Sequence, residues 1–139
     1  MQVLAVLLTF VAATLAQRIS IGAPVVDQTL TAGTPISVSV LKPDSLSAST
    51  EVGVAILIHH CNQSPCEDTS EQMGSLLYTG SFNPQRGAGF HGAPVQNFSV
   101  TISESIQPGP AVLSVAHASL IGAGPSLFSE ITNVTVNVA

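Results

Sequence analysis

Apolar and polar residues alternate along several short stretches of the chain, and this period of two restricts the fold more than any other feature. Ile36, Val38 and Val40 alternate with serines, and Val134 and Val136 alternate with polar residues near the C-terminus. Successive side chains of a β-strand point to opposite faces, so each alternating stretch predicts a strand with one buried face. Two further stretches predict strands in the same way, at Ser75–Tyr78 and Phe98–Ile102.

One predicted strand is apolar on both faces. Val52, Val54, Ile56 and Ile58 share one parity, and the residues between them are small or apolar as well. A run of this kind is typical of a strand that is buried on both sides. We therefore expect these four side chains to point together into the core.

The remaining elements complete an all-β fold. A strand or a pair of strands is predicted within Ile19–Leu30, and another within Ala111–Leu120. The alanines of Ala111–Leu120 are compatible with a helix, but the Pro108–Pro110 turn leads into it directly from another strand. About seven strands and no amphipathic helix predict one immunoglobulin-like antiparallel β-sandwich at residues 17–139. The lack of tryptophan argues against a true antibody domain.

The N-terminus has the features of a secretory signal peptide. Met1–Ala16 contains no charged side chain, and its apolar run is shorter than the ~20 residues of a membrane-spanning helix. Small residues end this segment, so we expect cleavage after Ala16 and a mature chain that begins at Gln17. The alternative is an uncleaved anchor. We favour a released, extracellular protein that does not span a membrane.

The charge balance excludes some classes of partner. The chain has 3 basic and 8 acidic residues, a net charge of −5, and only 8% charged residues. Such a chain cannot neutralise a row of phosphates, so nucleic acid and anionic membrane surfaces are not expected as partners.

Two cysteines and three sequons fit a secreted protein. Cys61 and Cys66 are expected to form one disulfide, worth about 2 kcal/mol because the closed loop is small. The glycosylation sequons begin at Asn62, Asn97 and Asn133. Asn97 and Asn133 share the polar parity of their strands, so both should point outward, whereas Asn62 lies in a loop.

Two long loops are the candidate binding surfaces. The first, residues 61–74, contains the cysteines. The second, residues 80–94, is rich in glycine and proline, and its candidate binding residues are Phe82, Arg86, Phe90 and His91. Long loops on a rigid sandwich are where binding functions are usually found.

The histidines suggest a metal site, but their spacing argues against one. His59 and His60 are adjacent on a strand and therefore point to opposite faces, so one ion cannot easily bind both. His91 or His117 would have to join from another strand. We favour strand-end histidines over ligands and expect neither a metal nor another cofactor.

The sequence contains no arrangement that predicts catalysis. Glu67, Asp68 and Glu71 could supply a pair of carboxylates, but glycosidases hold such a pair across a cleft, and this loop predicts none. No Gly-x-Ser-x-Gly motif is present. We therefore expect a binding protein that is not an enzyme.

Five short segments carry a resemblance to a known family: Arg18–Ser20, Ser75–Gly80, Pro108–Leu113, Ser119–Ala123 and Asn133–Val136. They are similar to segments of the necrosis-inducing secreted protein family of fungal effectors, small secreted proteins of ascomycetes and basidiomycetes. The insertion from Cys61 to Cys66 and the double histidine have no counterpart that we can match there. No functional residue is carried over from the family.

The resemblance implies a virulence function. Plant-associated members of that family suppress pattern-triggered immunity by binding receptor-associated kinases, so a host kinase becomes the expected protein partner. The alternative is a structural or adhesion module that binds polysaccharide of the fungal wall. A metal-binding protein is a third hypothesis, which the histidine spacing disfavours.

Overall fold

The computed structural model describes residues 18–45, 47–87 and 89–139. The predicted leader, Met1–Ala16, and Gln17 lie outside the described residues. The described part contains eight strands, one more than expected: β1 (Ser20–Ala23), β2 (Thr29–Leu30), β3 (Pro35–Leu41), β4 (Ser49–His60), β5 (Ser75–Gly80), β6 (Val95–Thr101), β7 (Gly109–Ile121) and β8 (Ser126–Val138).

The strands form two sheets. The smaller has three strands in the order β1-β3-β6, and the larger has five in the order β2-β8-β7-β4-β5. All pairs are antiparallel except β2 with β8. The arrangement of β1-β3-β6 against β8-β7-β4 matches the ABE and GFC strands of immunoglobulin domains. The predicted immunoglobulin-like sandwich is confirmed.

The alternating valines and isoleucines form the core between the sheets. Val38 and Val40 of β3 are fully buried, as are Ile56 of β4 and Leu113 and Val115 of β7. Because every second residue of a strand faces the same way, these side chains meet at the centre of the two layers. The Ala111–Leu120 segment is a strand as predicted, and its pairing with both β4 and β8 outweighs the helix propensity of its alanines.

Val52 departs from the predicted orientation. A β-bulge between Glu51 and Gly53 inserts one unpaired residue into β4, opposite Ser119 and Ala118 of β7. A bulge shifts the parity of the strand, so Glu51 faces the interior while Val52 points outward and is 57% exposed. The prediction that Val52 shares the core face with Val54, Ile56 and Ile58 is therefore wrong.

Candidate functional site

The disulfide loop, residues 61–74, closes one end of the outer face of the five-stranded sheet. Cys61 and Cys66 form the predicted disulfide, and the Cys61 amide donates to the carbonyl of Pro110 in β7. Further along the loop, Thr69 is buried with its hydroxyl 3.4 Å from that of Ser114. The loop is thus attached to β7 at two points and covers part of that strand.

Glu67 organises the start of the disulfide loop. Its carboxylate accepts the Asn62 backbone N–H and, at 2.7 Å, the Asn62 side-chain amide. His59 lies 2.9 Å from the same carboxylate. Hydrogen bonds from backbone N–H groups, its own first, and from His59 lower the pKa of Glu67 to about 2. A glycan on Asn62 would be attached to the side-chain nitrogen that donates to Glu67.

The second loop lies at the edge of the three-stranded sheet. Gln85 pairs with Val95 through two backbone hydrogen bonds, and Arg86 forms an ion pair with Asp44. Phe90 is 37% exposed and lies over Gly22 of β1, where a Cβ atom would meet its ring. Three of the four predicted binding residues, Arg86, Phe90 and His91, are therefore on the surface of one loop.

Phe82, the fourth predicted residue, belongs to the core. Its side chain is only 3% exposed. The ring stacks on Phe98 at a centroid distance of 6.4 Å and meets His117 edge-on at 5.4 Å. Phe82 therefore cannot contact a partner from the surface, although its chain neighbours are exposed.

A small polar depression opens beside the second loop. It has a volume of about 320 Å³ and is lined by residues of the segment between β3 and β4 and by residues of the second loop. Lys42 and Glu51 line its inner side, and Asn83 and Pro94 lie on the loop side. Asp44, which pairs with Arg86 of the loop, also lines the depression, so the two surfaces are next to each other.

Four ionisable side chains form a chain of contacts that runs from the depression into the sandwich. Lys42 pairs with Glu51, and Glu51 lies 2.5 Å from Nε2 of His117. Nδ1 of His117 lies 3.2 Å from Glu130, which also accepts the backbone N–H of Ile19 at 2.6 Å. We name these four side chains the buried quartet. It joins β4, β7 and β8 to the segments before β1 and after β3.

Burial governs the protonation of His117. The side chain of His117 is fully buried, and this burial lowers its pKa, while the hydrogen bond and charge of Glu130 oppose the shift. A neutral imidazole has one N–H, so His117 in this form donates to either Glu51 or Glu130 and not to both at once. His117 and Glu130 each share the parity of apolar core residues in their strands, and this was the available signal in the sequence. Glu51 has the opposite parity to Val54 and is turned inward only by the bulge, so no local pattern marks it.

The outer face of the five-stranded sheet carries an apolar groove beside the disulfide loop. This groove has a volume of about 740 Å³ and crosses β5, β4, β7 and β8. Ile131 lies at one side of the groove and Val52 at the other, and Leu76 and Leu127 are exposed on the same face. The floor of the groove consists of small residues of the two central strands: Gly53, Ala55, Ala116 and Ala118.

Asn97 and Asn133 both point outward, as predicted from their parity. Asn97 lies on the outer face of the three-stranded sheet, where its side-chain oxygen accepts the hydroxyl of Ser39 at 2.6 Å. Asn133 lies on the outer face of β8, two residues from Ile131 of the apolar groove.

The histidines do not converge. His59 contacts Glu67, His117 belongs to the buried quartet, and Nδ1 of His60 is buried with no hydrogen-bond partner among the described residues. Within residues 18–45, 47–87 and 89–139, no group of three or more histidine, cysteine or acidic side chains is arranged to hold a metal ion. Over the same ranges, no helix has the length and apolar character needed to cross a membrane.

Comparison with known families places the chain. The sequence model of the Nis1 family matches residues 14–137, which include all eight strands except Val138, the last residue of β8. The chain belongs to the Nis1 family. This is a family of secreted fungal effectors, so the resemblance found in the sequence is confirmed. No curated protein matches the chain.

Proposed function

We propose that this member of the Nis1 family is a secreted fungal effector that binds a receptor-associated kinase of a plant host and suppresses pattern-triggered immunity. It would act by binding and not by catalysis. Family membership supports the effector class, and the proposed partner is the one that the resemblance implies. The mature chain would begin at Gln17 once the leader has been removed.

The surface of the second loop is the observation that carries this proposal. Arg86, Phe90 and His91 are exposed together beside the polar depression, on a loop that is anchored at Gln85 and Arg86. Arginine and aromatic side chains contribute most to protein interfaces, and residues that are already held in place, as Gln85 and Arg86 are, lose less entropy on binding. These side chains would form the centre of the contact with the kinase.

A direct binding measurement tests the proposal. The mature chain is immobilised and exposed to purified receptor-associated kinases, and the same protein is applied to plant tissue before an immune elicitor. We expect kinase binding and a reduced immune response. The Phe90→Ser variant should weaken both, since it removes the exposed ring without changing the core.

Leu127→Ser is the matched control for Phe90→Ser. Leu127 is also an exposed apolar residue, but it lies on the outer face of the other sheet. If both variants bind the kinase equally well, the loop is not the contact surface. If the parent captures no kinase and instead sediments with chitin or glucan, the protein is a wall-associated module and the proposed function is overturned.

The predicted leader has its own test. The full chain is expressed in a fungal host, and the N-terminal sequence of the protein in the medium is determined. We expect it to begin at Gln17. Retention of the chain in the cell would contradict secretion by this leader.

A further inference from the structure

The Asn133 sequon is next to the apolar groove on the same face of the sheet. Asn133 pairs with Ser114 across the β7–β8 ladder, and Ile131 pairs with Ala116. Asn133 is therefore a diagonal neighbour of Ala116, at a separation of about 7–8 Å. An N-linked oligosaccharide of several rings is longer than this separation, so it can reach the floor of the groove.

The disulfide loop restricts the directions open to a glycan on Asn133. Ser114, its direct neighbour on β7, is fully buried because Thr69 of the loop lies over it. The next row of the sheet, from Ile131 through Ala116 to Ala55, is not covered by the loop and lines the groove. The open path across the sheet from Asn133 thus leads over the groove.

The groove also exposes apolar side chains to water. Its borders expose Val52 and Ile131 by 57% and 43%, and Leu127 beyond it is 70% exposed. Exposed apolar residues that cluster around one groove form a surface for contact with another group, whereas single exposed apolar residues are ordinary. Charged residues make up only 8% of the chain, so few charged side chains are available elsewhere on the surface to keep the protein soluble.

We propose that an N-linked glycan on Asn133 covers the apolar groove, with its first sugar rings packed on Ile131 and on the alanine floor. A pyranose ring carries C–H groups on its faces and hydroxyls on its rim, so it covers aliphatic side chains while its outer side stays hydrated. The occupant of the groove is thus the glycan of the same chain, and not a second copy or a host protein. The proposal depends on passage through the secretory pathway, as the proposed function does.

The Asn97 sequon supplies a matched control. On the outer face of the three-stranded sheet, Asn97 pairs with Ser39 and Ser99 pairs with Ser37. The half-buried Leu41 and Val95 follow on the same face, but the apolar groove is on the other sheet. A glycan on Asn97 would therefore lie directly over polar hydroxyls and away from the groove. Thr135→Val and Ser99→Ala remove the two sequons without changing either asparagine or the hydrogen bond of Asn97 to Ser39.

The experiment uses residues 17–139 secreted from a eukaryotic host through that host's own cleaved leader, so that failure of the native leader does not affect the result. All versions carry Ser64→Ala, which removes the Asn62 sequon. Mass spectrometry of glycopeptides locates the sugars, a dye that fluoresces on apolar surfaces reports exposure, and sedimentation reports the oligomeric state. Kinase binding is measured on the same samples, so the proposed function fails or holds independently.

We expect Asn133 to be glycosylated, Thr135→Val to raise dye fluorescence several-fold, and Ser99→Ala to leave it unchanged. Adding Ile131→Ser to the Thr135→Val variant should reduce the signal again, which places it in the groove. If Thr135→Val does not fold, glycosidase treatment of the folded Ser99→Ala protein should give the same rise. An unmodified Asn133, an unchanged dye signal after sugar removal, or a glycosylated chain that sediments as a dimer would each overturn the proposal.

Discussion

The two faces of the five-stranded sheet carry opposite surfaces at the same level of the sandwich. On the inner face, the fully buried His117 contacts both Glu51 and Glu130, whose side chains are only 18% and 9% exposed. On the outer face, Val52 and Ile131 are largely exposed. On each of β4, β7 and β8, the inward-facing ionisable residue is next in sequence to an outward-facing residue of the groove. The ionisable groups lie inside and the apolar groups outside, the reverse of the usual distribution.

The bulge in β4 is the physical origin of this reversal on that strand. Without it, Val52 would share the inward parity of Val54, and Glu51 would point to solvent. The extra residue turns Glu51 inward, where its carboxylate finds Lys42 and His117 as partners. A buried charge is tolerated only when it is paired and hydrogen-bonded, so bulge and quartet depend on each other.

Replacing the central residue of the quartet should have the largest effect. His117→Phe keeps an aromatic ring next to Phe82 but leaves Glu51 and Glu130 without their shared partner. We expect the free energy of unfolding to fall by about 3–5 kcal/mol, measured by urea denaturation. Ala116→Ser, on the outer face of the same strand, is the control. Equal losses in the two variants would contradict the comparison of the two faces.

A side chain at Gly53, next to the bulge, should have the next largest effect. A Cβ atom on Gly53 would lie 2.7 Å from the carbonyl oxygen of Gly80, a backbone atom that cannot move alone. We expect Gly53→Ala to destabilise the fold by about 1–3 kcal/mol, measured by thermal unfolding. Gly124→Ala is the control because nothing lies within 4 Å of that position. A neutral Gly53→Ala variant would show that the bulge does not hold the two faces in place.

The pH dependence of stability should separate the quartet from the disulfide loop. Because burial lowers the pKa of His117 below its ordinary 6.5, the unfolded chain takes up a proton first as the pH falls. The contribution of His117 to the free energy of unfolding is therefore full above pH 6.5 and is lost as the pH falls below that value towards the lowered pKa. Glu67, with a pKa of about 2 against an ordinary 4.5, adds stability that is lost only below pH 4.5.

Urea midpoints measured on both sides of pH 6.5 and of pH 4.5 check these windows. His117→Phe should remove the decline just below pH 6.5, whereas Glu67→Gln should change only the decline below pH 4.5. A parent protein that becomes more stable as the pH falls through 6.5 would contradict the direction given for His117.

The smallest effect is expected on the outer face. Ile131→Ser removes an exposed apolar side chain, so the free energy of unfolding should change by about 0.5 kcal/mol or less. Val136→Ser, at a fully buried position of the same strand, should cost several times more. Urea denaturation of both variants measures the contrast. A large loss from Ile131→Ser would mean that the apolar groove contributes to the fold and is not merely an exposed surface.

Local patterns allowed most strands to be predicted and left the orientation of some residues wrong. The parity of β3, β6 and β8 was correct because each strand is regular over its whole length. In β4 the same reasoning failed at Val52, since a bulge changes parity without any apolar residue marking it. Phe82 was predicted to be a binding residue because it lies in the long loop of residues 80–94, yet its ring fills the space beside Phe98.

By itself, the sequence determined the class of fold, the disulfide, the outward direction of Asn97 and Asn133, and membership of the effector family. These follow from the period of two, from the cysteine count and from short segments, all of which are properties of residues near one another in the chain. Only the tertiary structure decided that Glu51, His117 and Glu130 meet inside the sandwich. His117 and Glu51 are 66 positions apart, and their contact depends on the register of paired strands and on one bulge, which no local pattern encodes.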